Sequence, residues 1–151
     1  RFSIMKIRLL FDYGCNFIWL YIDDCFEPVR VSSEGCFTQN FYSSEIINGK
    51  IIRKSNGKVW KYPEKRLIGQ TELEEKANFI DEQFLRLWIN NEREFSYKGF
   101  ESKEDEQRFD DAVRFVYKKL CELLGDDYEI INDTGYGMPE QDNEQDLKQA
   151  L

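Results

Sequence analysis

Histidine is absent from all 151 residues. That removes Ser-His-Asp and Cys-His nucleophilic sites, histidine-ligated zinc and the usual general base near neutral pH. Enzymes built on paired carboxylates, lysine or magnesium pass this filter, and few others do. Long apolar runs are missing as well. The longest, Phe17-Ile-Trp-Leu-Tyr-Ile22, is strand length, far short of the roughly 20 residues that span a bilayer. No secretory leader is readable, since Ile4 is followed almost at once by Lys6 and Arg8. Met5 reads as a natural start preceded by four added residues, and the expected location is cytoplasmic. Paired cysteines are lacking too. Cys15, Cys25, Cys36 and Cys121 include no C-x-x-C element, so reduced thiols are expected.

What the chain does have is charge, aromatics and clear turn signals. Charged residues make up 33% and apolar residues 41% of the sequence, which suits one soluble domain of this length. The net charge of -8 is unevenly placed. Residues 126–151 hold eight acids (Asp126, Asp127, Glu129, Asp133, Glu140, Asp142, Glu144, Asp146) against Lys148 alone, a net of -7. Residues 41–70 hold seven basic and two acidic residues, a net of +5. The chain is electrically bipolar.

Residues 5–11 begin with a period of two (Met5, Ile7, Leu9 against Lys6, Arg8), and residues 17–22 follow a turn-rich stretch; the two predict a hairpin. Asp23-Asp24 interrupts the pattern, and Pro28 predicts an edge position or a bend. Asn48-Gly49 and Asn56-Gly57 each lie between short β-prone runs. Asn-Gly favours positive φ at both central turn residues, so a three-strand meander is expected. Residues 71–89 carry Leu73, Ala77, Ile80, Phe84 and Leu87 on one helical face. Thr71 and Glu74 predict its capping box, and Asn90-Asn91 its end. A second helix over 102–124 has Phe109, Val113, Val116, Leu120 and Leu123 at the same spacing. Ser102 is its expected N-cap and Gly125 its expected left-handed C′ residue. Residues 95–100 and 127–132 read as strands on either side, expected to lie side by side. The fold class expected is α+β: a largely antiparallel sheet with two amphipathic helices on one face, over residues 1–138, followed by an acidic polar tail at 139–151.

The constellations that could carry chemistry are weak. Adjacent acids at 23–24, 110–111 and 126–127 diverge on a strand or helix, so none forms a ready metal or acid/base pair. Asp142-Asn-Glu-Gln-Asp146 lacks the glycine and twelfth-position Glu of a calcium loop. Gly135-Tyr-Gly-Met lacks the Lys-Ser/Thr of a phosphate loop. No catalytic residue, metal or cofactor is expected. The lysines of the meander interleave with Trp60 and Tyr62, which would suit phosphates and bases, or simply protect a sheet edge. Of the aromatics, Tyr13, Trp19, Tyr21, Tyr97 and Tyr136 lie beside turns or on strands able to face outward, where Tyr and Trp anchor interfaces.

The opening Met5-Lys-Ile-Arg-Leu-Leu-Phe-Asp-Tyr-Gly14 with Trp19, and the later Asn90-Asn-Glu-Arg-Glu-Phe-Ser-Tyr-Lys-Gly-Phe100, resemble small bacterial immunity proteins of polymorphic-toxin and contact-dependent inhibition systems. The resemblance implies a cytoplasmic, non-catalytic inhibitor that binds one cognate toxin domain, with no membrane or direct nucleic-acid partner. The charge pattern agrees, because an acidic region complements a basic nuclease. The expected partner-facing residues are Asp126, Asp127, Glu129, Asp133 and Tyr136, with Asp23, Asp24 and Tyr13. Three other classes stay open. A nucleic-acid-mimicking inhibitor should be negative over a whole face, which the +5 segment opposes. An adaptor should expose a large apolar patch. A carboxylate enzyme should hold two carboxylates about 5 to 9.5 Å apart in a deep pocket.

Overall fold

The computed structural model describes residues 5–139, with the side chains at 41–44, 50, 51, 53–56 and 58 outside that description. Residues 1–4 and most of the acidic tail therefore lie outside the described residues. The first hairpin forms as its period predicts. In β1 (Met5–Leu9) and β2 (Ile18–Ile22), Ile7, Leu9, Ile18 and Leu20 are buried while Arg8 and Trp19 stay half-exposed. Asp23-Asp24 is itself a two-residue turn with φ of 49° and 66°, leading into β3 (Cys25–Ser32). The short polar side chain of Asp tolerates this left-handed conformation, so the apparent interruption is a hairpin.

Pro28 sits inside β3, opposite Trp19. It costs no ladder bond there. β4 (Cys36–Ile47) pairs with β3 only over Arg30–Ser32, so the side of Pro28 that lacks an N–H faces a gap. Across that gap the Gln39 amide donates to the Pro28 carbonyl at 3.0 Å. β4 then continues antiparallel to β5 (Lys50–Pro63) around Asn48-Gly49, whose φ values of 53° and 77° fit the expected turn.

The second Asn-Gly is a correction. β5 runs straight through it, so the expected meander is a single long hairpin. Asn40 pairs with Val59 and Tyr42 with Ser55, leaving residues 56–58 opposite residue 41 alone. Gly57, at φ 77°, supplies the positive φ for a β-bulge instead of a turn.

A 3-10 turn (Lys65–Leu67) leads to α1 (Thr71–Arg86), which buries Leu73, Ala77 and Ile80. Thr71 forms no capping box: Gln70 is the N-cap, and Glu74 accepts instead from the Ser33 backbone N–H at 2.7 Å. The helix also ends earlier than expected. Leu87 caps it, and Trp88–Asn90 is β6, paired with β7 (Phe95–Tyr97) in a separate small hairpin. α2 (Lys103–Leu124) opens as predicted, with the Ser102 hydroxyl accepting from the Asp105 N–H at 3.1 Å. Its end differs. Gly125 is right-handed, with φ of -63°, and glycine is needed because a Cβ would meet the Cys121 carbonyl oxygen at 2.4 Å.

β8 (Tyr128–Asn132) follows, and it does not join β7. It lies parallel to β1, Met5 opposite Tyr128 and Leu9 opposite Asn132. The six-stranded sheet has the order β5-β4-β3-β2-β1-β8, antiparallel except for β1–β8, and the two helices pack against it. The α+β expectation holds. The start of β8 reaches the segment that follows β5. The Tyr128 hydroxyl donates to Glu64 at 2.9 Å just beyond β5, and Arg66 pairs with Asp127 at 2.6 Å. Between sheet and helices lies one core, from Ile7, Phe17, Leu20 and Phe37 to Ile80, Phe109, Val116 and Leu120.

Candidate functional site

Burial alternates along β1 and β2, so the helices cover one face of the sheet and leave the other open. On that open face Trp19 and Pro28 are paired across β2 and β3, and Tyr21 packs edge-on against Phe26 with centroids 5.0 Å apart. Lys6 lies 5.6 Å from the Tyr21 ring centroid and opposite Glu129, while Arg8 lies opposite Ile131. Trp19 is fixed by its indole N–H, which donates to the Leu10 carbonyl at 2.9 Å. The result is a shallow aromatic patch on β2 and β3, bordered by Lys6 and Arg8 on β1. Trp19 and Tyr21 are where the period of two puts them.

The carboxylates gather at one end of this face. β1 and β8 run parallel, so the residues before β8 emerge at the end where β2 turns into β3. Asp23 and Asp24 thus lie at the same end of the sheet as Asp126 and Asp127, two or more strand spacings (about 10 Å or more) away across β1, with Glu129 one rung inward. All five are exposed. Asp127 is partly neutralised by Arg66. Desolvation, followed by the charge of Asp24 and the hydrogen bond it accepts from the Tyr21 hydroxyl at 3.4 Å, raises the Tyr21 pKa. The neighbouring Cys25 thiol is also pushed up, chiefly by its hydrogen bond to Glu27.

The other expected residues lie at the opposite end. Asp133 pairs with Arg8 at 2.7 Å. Tyr136 is half-buried, its ring 5.1 Å from Phe109 and 6.1 Å from Phe100, and desolvation raises its pKa. The loop that carries it is built by Asn132, which donates to the Tyr136 carbonyl and accepts from Thr134. Gly137 closes onto α2, where a Cβ would come within 2.6 Å of the Arg114 nitrogen. Tyr13 packs edge-on against Phe95 at 4.9 Å and accepts from Asn90 at 3.0 Å. The structure therefore brings together Asp23, Asp24, Asp126, Asp127 and Glu129, and leaves Tyr13, Asp133 and Tyr136 apart from them.

Two titratable groups and one surface escaped the sequence reading. Glu64 is 9% exposed, and hydrogen bonds from Arg66 and Tyr128 hold its carboxyl below the usual range against the cost of burial. Asp81 on α1 accepts from the Phe17 N–H and the Asn16 amide, and burial pushes its pKa up to about 6. Both clasp secondary-structure elements together. The surface is the β6–β7 hairpin, where Trp88 stacks on Phe95 at 5.2 Å while Phe95 and Tyr97 remain exposed. Beside it, a cleft of about 380 Å³ surrounds Glu101 and Asp105 with Arg86, Lys98 and Arg108, and Asp105 is spent on Arg108 at 3.3 Å.

Among the described residues no group of three His, Cys, Asp or Glu is placed to hold a metal, and no helix is long and apolar enough to cross a membrane. No family model matches the chain, and no curated protein or solved structure matches it either.

Proposed function

We propose that this chain is a non-catalytic inhibitor that binds and neutralises a cognate toxin domain, meeting a basic, nuclease-like surface with the acidic end of its open sheet face. The observation that carries this reading is the convergence of Asp23, Asp24, Asp126, Asp127 and Glu129 beside Trp19, Tyr21 and Phe26. Aromatic anchors on a rigid sheet supply contact area at small entropic cost, and a one-sign rim speeds encounter with an oppositely charged partner. A surface of this kind needs no pocket, histidine or cofactor.

The test is co-purification with the C-terminal domain of a secreted toxin encoded beside this chain's gene. Association kinetics then separate the rim from the rest. Replacing Asp126 and Glu129 by lysine, with Asp23 and Asp24 replaced by asparagine to keep the left-handed turn, is expected to slow association by about tenfold or more and to flatten its salt dependence. Unchanged association rates for that variant would remove the acidic end from the interface. Failure to bind any toxin domain from the same locus would remove the inhibitor reading altogether.

A further inference from the structure

We infer that the cleft between the helices and the β6–β7 hairpin binds a small organic monocarboxylate with a flat apolar body. Its volume of about 380 Å³ falls in the range of small-molecule sites, roughly 300 to 1,000 Å³. The second half of α1 supplies Phe79 and Arg86, β6 supplies Trp88, and the start of α2 supplies Asp105 and Arg108. The link from β7 to α2 completes the lining with Lys98 and Glu101. That link is tied down, because the Lys98 and Gly99 N–H groups both donate to the Leu87 carbonyl, at 2.8 and 3.1 Å. One wall is therefore fixed by backbone hydrogen bonds.

The lining is rich in polar groups that the fold leaves uncommitted. Arg8, Arg66 and Arg114 each hold a carboxylate, yet the side chains of Arg86, Lys98 and Glu101 have no partner among the described residues. Trp88 adds a buried donor. Its Nε1 is the one buried side-chain nitrogen or oxygen, among the described residues, that makes no hydrogen bond. Stacking on Phe95 and edge contact with Tyr97 hold the ring in place, and an indole N–H can only donate. A buried donor left unmet costs stability, which favours an acceptor brought from outside. Charge then selects the class of ligand. Three cations and two acids line the cleft, and Asp105 is already bonded to Arg108. Arg86 and Lys98 against Glu101 leave a surplus of one positive charge. A monoanion matches that surplus, whereas a dianion such as a phosphate ester overshoots it and is repelled by Glu101. The planar guanidinium of Arg86 suits a carboxylate, and the half-buried rings of Phe79 and Trp88 suit a flat apolar body.

The cleft shares no residue with the acidic end of the sheet and is tested without a toxin domain, so this inference stands or falls separately from the proposed function. Benzoate, phenyl phosphate, inorganic phosphate and benzyl alcohol serve as probes, each titrated into the full chain at constant ionic strength. Amide and indole N–H resonances give the readout, and Trp88→Phe identifies the Trp88 signal among the three tryptophans. Benzoate should move that signal and the amides of Lys98 and Glu101 saturably, with a Kd of about 1 mM. Arg86→Gln combined with Lys98→Gln should weaken binding by about tenfold or more. The remaining resonances should keep their dispersion, because both residues are exposed. Absence of a saturable shift with benzoate overturns the inference, as does binding indifferent to the double substitution. An equal response to inorganic phosphate overturns it as an adventitious ion only, and an equal response to benzyl alcohol removes the part played by charge. Tighter binding of phenyl phosphate than of benzoate overturns the monocarboxylate class.

Discussion

The two edge strands of the sheet solve the same problem in opposite ways. β8 has five residues, is clamped at its start by Tyr128 on Glu64 and by Asp127 on Arg66, and is tied at its end by Asp133 on Arg8. β5 has fourteen, and beyond its bulge it is held by one neighbour only, with isoleucine in solvent. A short edge with charged residues protects itself from unwanted pairing. A long edge that is interrupted by a bulge and keeps apolar residues exposed lacks that protection. The contrast sets a short β8 edge, tied at both ends, against a long arm whose described isoleucines are exposed.

The largest expected effect lies at the rigid edge. Tyr128 is 5% exposed, with its ring 6.4 Å from Phe37 and its hydroxyl on a buried carboxylate. Tyr128→Ala should lower the unfolding free energy by about 3 to 5 kcal/mol in urea titrations, chiefly through cavity formation, with the loss of one of the hydrogen bonds to Glu64 added. A loss below about 1 kcal/mol would mean that the clamp does not hold β8, and the contrast with β5 would collapse.

A second effect sets the body against the arm through pH. Folding raises the Asp81 pKa to about 6, above the roughly 3.9 of an unfolded aspartate. Between those values the native state holds a proton that the unfolded chain has released. Stability from this group is therefore greatest below pH 4 and falls as pH rises to 6, by about 3 kcal/mol in all. Asp81→Asn should remove that slope, so the stability difference between variant and parent should shift in the variant's favour from pH 4 to 7. A difference independent of pH would show that Asp81 is not titrating in this window.

The smallest effect concerns the bulge. Gly57→Ala places a side chain at φ 77° with open space around it, a conformational cost of about 1 to 2 kcal/mol. Amide exchange should quicken along the rungs from Tyr42 to Ser55 while the global unfolding midpoint stays put, provided arm and body open independently. An equal loss of protection throughout the molecule would join the arm to the body as one cooperative unit.

Much of this fold is legible in the sequence where the cause is local. The period of two in residues 5–9, the 4-3-4-3 face of α2 and the Ser102 cap all act within one element. Asn-Gly is legible only in part. The dipeptide fixes a preference for positive φ, and whether that φ makes a turn at 48–49 or a bulge at 56–57 depends on what the partner strand offers. Asp23-Asp24 escaped as a turn because its left-handed geometry is tolerated by Asp and not announced by it. Trp88–Asn90 continues an apolar pattern that a helix could equally have used, until pairing with Phe95–Tyr97 claimed it.

By itself, then, the sequence determined the class of fold, the helix faces, the absence of histidine chemistry and the polarity of charge along the chain. These follow from composition and from spacings within a few residues. Only the tertiary structure decided that β8 lies parallel to β1. That one non-local pairing carries Asp126 and Asp127 to the same end as Asp23 and Asp24, while neighbours such as Asp133 and Tyr136 exit at the other end. Separations of a hundred residues have no periodicity to read, because they are fixed by which buried faces fit together around Ile7, Leu20 and Phe109. The acidity was written in the chain, and its gathering at one end of the sheet was written in the packing.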